Sequence, residues 1–270
     1  MTLATDVWGA GPPLVLVHGF TGSIDTWEPA RTLLGSRHRV VAVDLPGHGG
    51  SPVPPPSWRL PDVTPAIMAA LDRLGIVRAS WLGYSLGGRV ALQAALAFPS
   101  RIERLVLEST SPGIADAGER SARAAADEAL AARLEQRGLA AFVADWMAQP
   151  LFASQRRLDL AAIARERTLR LRHTPAALAA ALRTFGVGVQ EPLWDRLPSL
   201  RIPFLLVAGA DDHRYRALAV AMAARLPDAR VAIIPDAGHT VHLENPVPFW
   251  SLAGAFFAEA SAPTLEGGHP

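Results

Sequence analysis

Short apolar runs separated by helical stretches constrain the fold of this chain more than any other feature. The runs are rich in Val, Leu and Ile and are bounded by Gly, Pro, Asp or charged residues: Leu14–Val17, Val40–Val43, Ala79–Leu82, Leu105–Leu107, Phe204–Val207 and Val231–Ile234. Helical stretches such as Pro61–Leu74 and Arg89–Phe98 lie between several of them. Because parallel strands need a crossover connection, this alternation predicts an α/β fold with a doubly wound, mostly parallel sheet covered on both faces. The N-terminal segment offers at most one or two short edge strands.

The alternation stops after Leu107 and resumes at Arg201–Ala208. Between them, from about residue 113 to residue 197, the chain is rich in Ala, Arg and Leu at helical spacing and contains no convincing strand. The sequence therefore predicts an α/β core formed by residues 1–112 and 198–270. A helical cap at residues 113–197 is inserted into this core and is expected to fold over one end of the sheet.

Composition excludes several classes of protein. The 270 residues are 50% hydrophobic and 19% charged, which is typical of a packed globular protein and not of a disordered one. A net charge of +1 provides no basic field for nucleic acid, and the absence of cysteine excludes disulfides and thiolate chemistry. No apolar run approaches the roughly 20 residues of a membrane helix, and the start lacks a signal-peptide pattern. We expect a cytoplasmic protein, monomeric or weakly homo-oligomeric, without nucleic-acid or membrane partners, whose tail after Ala262 is frayed.

The pentapeptide Gly83-Tyr84-Ser85-Leu86-Gly87 is the strongest local motif. It fits the pattern G-x-S-x-G and lies between an apolar run and a helical stretch, which is the strand–turn–helix context of a nucleophile elbow. On such a turn the serine hydroxyl projects above the sheet at a helix N-terminus, where backbone N–H groups favour negative charge. We predict that Ser85 is a catalytic residue, and an ordinary turn serine is the alternative.

A serine hydroxyl is a poor nucleophile or base unless a histidine lies beside it, oriented by a carboxylate. The motif Gly209-Ala210-Asp211-Asp212 and the motif Ala237-Gly238-His239 each follow a predicted strand, in the order Ser, Asp, His. The carboxyl ends of strands are where ligands bind in open α/β sheets. The sequence therefore predicts a triad of Ser85, Asp212 and His239.

Two alternatives remain within this triad. Asp211 is adjacent to Asp212 and is expected to support the loop, while His242 lies close to His239 and is expected in a loop or on the surface. The histidines outside these motifs are expected on the surface: His38, His173, His213 and His269.

The segment His18-Gly19-Phe20 follows the first strong apolar run. The backbone N–H of Phe20 can join that of Leu86 to form an oxyanion hole, and a simple strand-ending turn is the alternative. The segment from Asp44 to Ser51 follows the next run, and we predict a structural loop near the site with no catalytic role.

The motifs HGF, DLPGHGGS, GYSLGGR, GADD and AGH occur in this order. Together they resemble the α/β-hydrolase superfamily with a helical cap, over nearly the whole chain. Within that superfamily, further segments resemble the family of 2-succinyl-6-hydroxy-2,4-cyclohexadiene-1-carboxylate synthases of menaquinone biosynthesis: Tyr84–Arg89, Ser111–Gly113, Glu119–Arg123, Ala144–Trp146, Gln149–Pro150 and Phe152–Ser154. The resemblance implies an α/β-hydrolase fold and a lyase that eliminates pyruvate with a serine triad, without a metal or an organic cofactor.

The resemblance also implies that Arg123 and Arg167 bind the anionic groups of a small polycarboxylate substrate. The alignment is looser at Arg167, so Arg165 or Arg170 can take its place. Arg89 has independent support, because it follows the catalytic serine by four residues, about one helical turn. A cation at that position suits a carboxylated substrate.

Two aromatic residues complete the predicted site. Tyr84 is expected to contact the substrate through its hydroxyl, and Trp146 is expected to form an aromatic wall of the cap, with a packing role as the alternative for both. Because a triad alone does not distinguish elimination from hydrolysis, a serine carboxylesterase, lactonase or C–C bond hydrolase of the same fold is the main alternative function. A non-catalytic binding protein is the alternative from a different class, although no triad member is missing.

Overall fold

The computed structural model describes residues 1–259, so the predictions for the tail after Ala262 and for His269 lie outside the described residues. Within residues 1–259, seven strands form one sheet in the order β1-β3-β2-β4-β5-β6-β7. The strands are β1 (Thr5–Trp8), β2 (Pro13–Val17), β3 (Arg39–Val43), β4 (Ala79–Tyr84), β5 (Ile102–Glu108), β6 (Phe204–Gly209) and β7 (Ala229–Ile234).

Six of these strands run parallel to their neighbours, and each contains one of the predicted apolar runs. Only β1 pairs antiparallel, with β3 at the edge of the sheet. The predicted mostly parallel sheet with a short N-terminal edge strand is therefore confirmed. The central strands carry continuous apolar side chains because both faces of a parallel sheet are covered by helices.

Within residues 1–259 the sheet is accompanied by nine α-helices. They are α1 (Arg31–Gly35), α2 (Leu60–Arg73), α3 (Leu86–Ala97), α4 (Ala117–Met147), α5 (Leu160–Arg170), α6 (Pro175–Phe185), α7 (His213–Ala223), α8 (Val241–Glu244) and α9 (Pro246–Ala258), and short 3₁₀ segments lie at Ile24–Ala30, Pro99–Arg101, Pro150–Arg157 and Trp194–Ser199. Helices α2, α3 and α7 bury apolar side chains against one face of the sheet, and α1 and α9 against the other. Each face of the sheet thus has its own apolar core. Val15 and Val17 of β2 pack into the core with α2, α3 and α7, and Leu14 and Leu16 pack into the core with α1 and α9.

The segment between β5 and β6 contains helices α4 to α6 and, within the described residues, no strand. These helices have a small apolar core of their own, in which Leu134 and Val143 of α4 pack with Leu178 and Leu182 of α6. Helix α4 is broken at Gly138, whose φ of 80° lies in the left-handed region that glycine tolerates. We call this segment the cap. Among residues 1–259, no helix is long and apolar enough to cross a membrane.

Candidate active site

Ser85 lies at the junction between β4 and α3, directly after the last residue of the strand. Its φ of 51° and ψ of −109° are strained for a residue with a side chain. The two flanking glycines make this turn possible: a Cβ on Gly83 would meet the backbone of Gly87, and a Cβ on Gly87 would meet the Val17 carbonyl. The helix begins immediately after the serine, three residues earlier than the predicted Arg89. The local geometry is therefore that of a nucleophile elbow.

The structure brings Ser85, His239 and Asp212 together from three separate parts of the chain. His239 Nε2 lies 3.1 Å from Ser85 Oγ, and His239 Nδ1 lies 2.7 Å from Asp212 Oδ2. An Nδ1–H that donates to the carboxylate leaves Nε2 free to accept the serine proton. Both His239 and Asp212 are buried, while Ser85 is accessible from a cavity. This arrangement can remove a proton from the serine hydroxyl.

Asp211 and Asp212 occupy different environments although they are adjacent. Asp212 caps α7, since its Oδ1 accepts a hydrogen bond of 3.2 Å from the Tyr215 N–H, and its other oxygen orients His239. The side chain of Asp211 is 46% exposed and forms an ion pair of 2.6 Å with Arg157 of the cap. The geometry thus places Asp212 in the triad and gives Asp211 a contact between core and cap.

Two carboxylates fix the loop that carries His239, the half-buried Glu244 and the fully buried Glu108. Glu244 accepts hydrogen bonds from the N–H groups of Gly238 (2.8 Å) and Thr240 (3.0 Å), one on each side of the histidine. Glu108, the last residue of β5, accepts hydrogen bonds from the His242 N–H at 3.0 Å and from His242 Nδ1 at 2.8 Å. His242 is therefore a buried residue that ties the loop to the sheet, and the expectation of a surface or loop position is wrong. Sequence reasoning missed both carboxylates.

Phe20 and Leu86, whose N–H groups were predicted to form an oxyanion hole, both line the cavity that contains Ser85. Gly19 allows this approach, because a Cβ there would lie 2.7 Å from the ring of Tyr84 and 3.4 Å from Ser85 Cβ. Leu86 is the first residue of α3, and the first N–H groups of a helix have no partner within it. Both residues thus lie beside the serine, and an oxyanion hole formed by their N–H groups stays a prediction.

A buried neutral histidine supports this loop. His18 Nδ1 lies 2.7 Å from the Gly19 carbonyl, and His18 Nε2 accepts a hydrogen bond of 3.0 Å from the Leu45 N–H. These contacts require the proton on Nδ1 and none on Nε2. Complete burial lowers the pKa of His18 to about 4, which keeps the ring in this state at neutral pH.

Further histidines lie beneath the surface. His48 packs against His18, with ring centroids 5.1 Å apart, and against His173, at 5.5 Å. His173 Nε2 lies 2.9 Å from the Thr21 carbonyl, so it connects the cap to the loop after β2. Burial lowers the pKa of His38, His48 and His173. The expected surface position is therefore wrong for His38 and His173, whereas His213 is exposed.

A cavity of about 850 Å³ opens above Ser85 between the core and the cap. One wall is aromatic: Trp146 stacks on Phe142 at 5.7 Å and meets the edge of Phe20 at 5.2 Å. The charged side chains of the lining are mostly arginines, which are Arg89, Arg123, Arg133, Arg137 and Arg214, opposed by Asp127 and Asp145. The cavity therefore combines an apolar wall with an excess of positive charge, which attracts anionic ligands.

Arg89 and Arg123, two of the predicted anion-binding residues, both line this cavity. The Arg89 guanidinium donates to Gln190 Oε1 and to the Phe185 carbonyl, each at 2.8 Å. Burial lowers the pKa of Arg89 to about 10, so the side chain stays charged at neutral pH. Arg123 forms an ion pair of 2.8 Å with Asp127, one turn along α4, and its side chain is 41% exposed.

Comparison with known proteins agrees with this geometry. Residues 12–246 match the family described as the alpha/beta hydrolase fold. A 2-succinyl-6-hydroxy-2,4-cyclohexadiene-1-carboxylate synthase from Serratia proteamaculans (strain 568) is 37% identical over 257 residues, which cover 92% of this chain and 95% of the relative. The chain belongs to the α/β-hydrolase family, among these synthases. The predicted fold class and the resemblance read from the motifs are thereby confirmed.

Two solved structures are similar to this chain over nearly their whole length. The structure described as MenH from S. aureus has a TM-score of 0.90 and 33% identity, and the match covers 95% of this chain and 98% of that one. A thermophilic esterase from Thermogutta terrifontis, described as malate-bound, has a TM-score of 0.84 and 27% identity, with coverage of 94% and 92%. The same architecture therefore occurs in a hydrolase.

Arg167 is not at the cavity of this synthase-family chain, so that prediction is wrong. It is exposed on α5, whose buried face is formed by Glu166, Leu169 and Arg170. Successive helical residues are rotated by about 100°, which turns Arg167 away from that face. Arg170 forms a buried ion pair of 2.7 Å with Glu166. Arg165 donates to the Asp25 carbonyl at 2.5 Å, so neither alternative lines the cavity.

The two predicted aromatic contacts differ in outcome. Trp146 lines the cavity as part of the aromatic wall. Tyr84 also lines it, but its buried hydroxyl is bonded to Thr240 Oγ1 at 2.9 Å, which itself accepts from Gln155 at 3.0 Å. Burial raises the pKa of Tyr84 well above its ordinary value. The hydroxyl that was expected to contact substrate is therefore bonded to Thr240 of the core, which in turn accepts a hydrogen bond from Gln155 of the cap.

Sequence reasoning missed three further arginines and one tyrosine in the cavity lining. Arg137 follows Arg123 by 14 residues, four helical turns, so both lie on the same face of α4 as Leu130. This spacing could have indicated that Arg137 also lines the cavity. The break of α4 at Gly138 means that the same argument does not extend to residues beyond it. Arg133 also lines the cavity from α4, while Arg214 and Tyr215 do so from α7.

Proposed function

We propose that this chain eliminates pyruvate from a succinyl-enolpyruvyl-hydroxycyclohexene-carboxylate to form 2-succinyl-6-hydroxy-2,4-cyclohexadiene-1-carboxylate. One observation carries the proposal: Ser85, His239 and Asp212 lie within hydrogen-bonding distance beneath a cavity that five arginines line. The name of the Serratia proteamaculans relative, with its coverage of both chains, supports the same reaction.

The first step is removal of a proton alpha to the succinyl ketone. His239, oriented by Asp212, accepts the proton of Ser85, whose oxygen then acts as the base. The Ser85 Oγ to His239 Nε2 distance of 3.1 Å suits this transfer. Serine therefore removes a proton and forms no acyl intermediate.

The second step is expulsion of pyruvate. The enolate oxygen is stabilised by the N–H groups of Phe20 and Leu86, which act as the oxyanion hole. As the enolate collapses, one C–H bond and one C–O bond of the ring have been lost and one ring C=C bond has formed. The leaving enolpyruvyl group departs as the enolate of pyruvate and is protonated by the catalytic histidine. Atoms and charge balance without a metal or an organic cofactor.

The proposed substrate is a small polycarboxylate, and the charge of the cavity supports this class. Arg89 and Arg123 line the cavity and can form charge-assisted hydrogen bonds with carboxylates. Trp146 can pack against the ring of the substrate. In this proposal the chain works in the cytoplasm as a monomer or a weak homo-oligomer, with no nucleic-acid or membrane partner.

Hydrolysis of a carboxylated ester is the second candidate, since the triad is complete and the Thermogutta terrifontis esterase shares the fold at 27% identity. The two candidates differ in what Ser85 does: a hydrolase acylates it, and the lyase does not. A lactonase or C–C bond hydrolase would also use it covalently.

A coupled pyruvate assay tests the proposal. We expect the wild-type protein to release pyruvate from the succinyl-enolpyruvyl substrate and to cleave p-nitrophenyl acetate slowly. Ser85→Ala should lower kcat by on the order of 10³-fold, while Ser199→Ala, at an exposed serine, should match the wild type. Rapid ester cleavage without pyruvate release would contradict the lyase proposal and support the hydrolase.

A further inference from the structure

Tyr215 touches the triad in two ways that the proposed mechanism does not use. It lies in the first turn of α7, where its backbone N–H donates to Asp212 Oδ1 at 3.2 Å. Its ring packs against the imidazole of His239, with centroids 4.6 Å apart and planes inclined by 57°. The carboxylate that orients His239 therefore also fixes the residue that packs on it.

Tyr215 is also part of the cavity lining. The residue lines the same space as Ser85, and the charges of Arg89, Arg123 and Arg214 act on its phenol. Within residues 1–259 the Tyr215 hydroxyl has no hydrogen-bond partner. Burial outweighs the neighbouring positive charges and raises the pKa of Tyr215, so the group is a neutral donor at physiological pH.

The chemistry of this position points to an anionic acceptor. The arginines beside Tyr215 provide only donors, and Asp127, whose Oδ1 accepts from Arg123 and whose Oδ2 has no partner within the described residues, forms no hydrogen bond with the Tyr215 hydroxyl. Tyr215 is half-buried, and because its hydroxyl is bonded to no protein group within residues 1–259, it remains available to a ligand in the cavity. A phenyl ring alone would pack against His239 in the same way, so packing does not explain the hydroxyl of Tyr215.

We propose that Tyr215 is a positioning and substrate-binding residue, whose ring orients His239 and whose hydroxyl donates a hydrogen bond to a substrate carboxylate held by Arg89 and Arg123. The inference rests on the proposed function for the identity of the substrate. The site itself requires only a small ligand that carries a carboxylate. Ring and hydroxyl thus make two separable contributions, one to the rate of proton transfer and one to affinity.

Two variants separate these contributions. Tyr215→Phe keeps the ring and should raise KM for pyruvate release about tenfold while kcat stays within about twofold, because a hydrogen bond to a charged group is lost. Tyr215→Leu removes the ring as well and should also lower kcat by about tenfold. His213→Ala, at an exposed residue of the same helical turn, is the matched control and should equal the wild type.

Binding of succinate, measured by calorimetry, provides a readout independent of the reaction. We expect Tyr215→Phe to weaken the Kd for succinate about tenfold relative to wild type and to His213→Ala. An unchanged Kd, or no binding by either protein, would overturn the role of the Tyr215 hydroxyl. A wild-type protein that binds succinate but releases no pyruvate would instead overturn the proposed function and leave the Tyr215 comparison valid.

Discussion

The floor and the wall of the cavity are built in different ways. On the floor, which is formed by the proposed triad at the carboxyl ends of the strands, Asp212 holds His239 and Glu244 holds the loop around it. The arginine wall consists of the five arginines that line the cavity, and it is only partly paired: Arg123 and Arg137 form ion pairs with Asp127 and Asp145, whereas Arg133 and Arg214 have no hydrogen bond or ion pair with any side chain of residues 1–259. The floor is therefore preorganised for proton transfer, while part of the wall keeps its charge available for a ligand.

The largest expected effect tests how strictly the floor is organised. Asp212→Asn should lower kcat by on the order of 10⁴-fold, because an amide favours the wrong tautomer of His239. Asp211→Asn removes a neighbouring carboxylate whose only ion pair within the described residues is with Arg157, and kcat should stay within about threefold. Pyruvate release by the two purified variants is the measurement.

The two aspartate variants form a matched pair, since each replaces one carboxylate by an amide in adjacent residues. Circular dichroism should show that both remain folded. Equal losses of kcat in the two variants would contradict a floor in which Asp212 alone orients the histidine.

The second effect is on the free energy of unfolding and comes from His18, which supports the loop beside the floor. His18 is buried and its pKa is about 4, whereas a histidine in an unfolded chain titrates near 6.5. Between these values the unfolded state binds more protons, so the free energy of unfolding falls as pH decreases from about 6.5 to about 4. For His18 alone the loss is about 3 kcal/mol.

Urea unfolding at several pH values measures this dependence. His18→Asn should make the profile flatter between pH about 6.5 and about 4, although the variant is less stable at neutral pH. His213→Gln, at an exposed histidine, should leave the slope of the wild type. If His18→Asn and wild type had parallel profiles, the neutral buried state of this ring would be wrong.

The third effect tests the wall. Arg89→Ala should raise KM by about 10- to 100-fold and lower kcat as well, because the guanidinium both binds a carboxylate and holds Gln190 and the Phe185 carbonyl. Arg89→Lys keeps the charge but loses the forked geometry, and we expect an intermediate KM. Arg167→Ala is the matched control on the exposed face of α5. A KM as high for Arg167→Ala as for Arg89→Ala would contradict the wall described here.

The floor was more predictable from sequence than the wall. Ser85, Asp212 and His239 each follow an apolar run, and the carboxyl ends of parallel strands meet at one edge of the sheet. Short motifs with glycine at fixed positions therefore specified which residues come together. The sequence favoured Asp212 over the adjacent Asp211, and the directions of the two side chains in the structure agree, since Asp212 meets His239 and Asp211 meets Arg157.

The arginine wall was predicted less well, because the orientation of each helix determines which of its arginines line the cavity. Arg167 was placed by resemblance, but the buried face of α5 passes through Glu166 and Arg170. The buried His173 was also missed, since its partner, the Thr21 carbonyl, is 152 residues away along the chain. Patterns along a helix do not reveal such contacts between distant segments.

The smallest effect tests whether the floor needs support behind the catalytic residues. Glu244 accepts hydrogen bonds from the N–H groups of Gly238 and Thr240, so it fixes the backbone on both sides of His239. In Glu244→Gln one carboxylate oxygen becomes an NH₂ group, which cannot accept, so one of these two hydrogen bonds is lost. We expect kcat to fall about threefold to tenfold with KM unchanged, and stability to fall by about 1 kcal/mol. Glu191→Gln, at an exposed glutamate outside the cavity lining, should change neither quantity. A rise in KM without a change in kcat would instead mean that Glu244 acts through the wall, because a displaced His239 slows proton transfer and leaves the arginines in place.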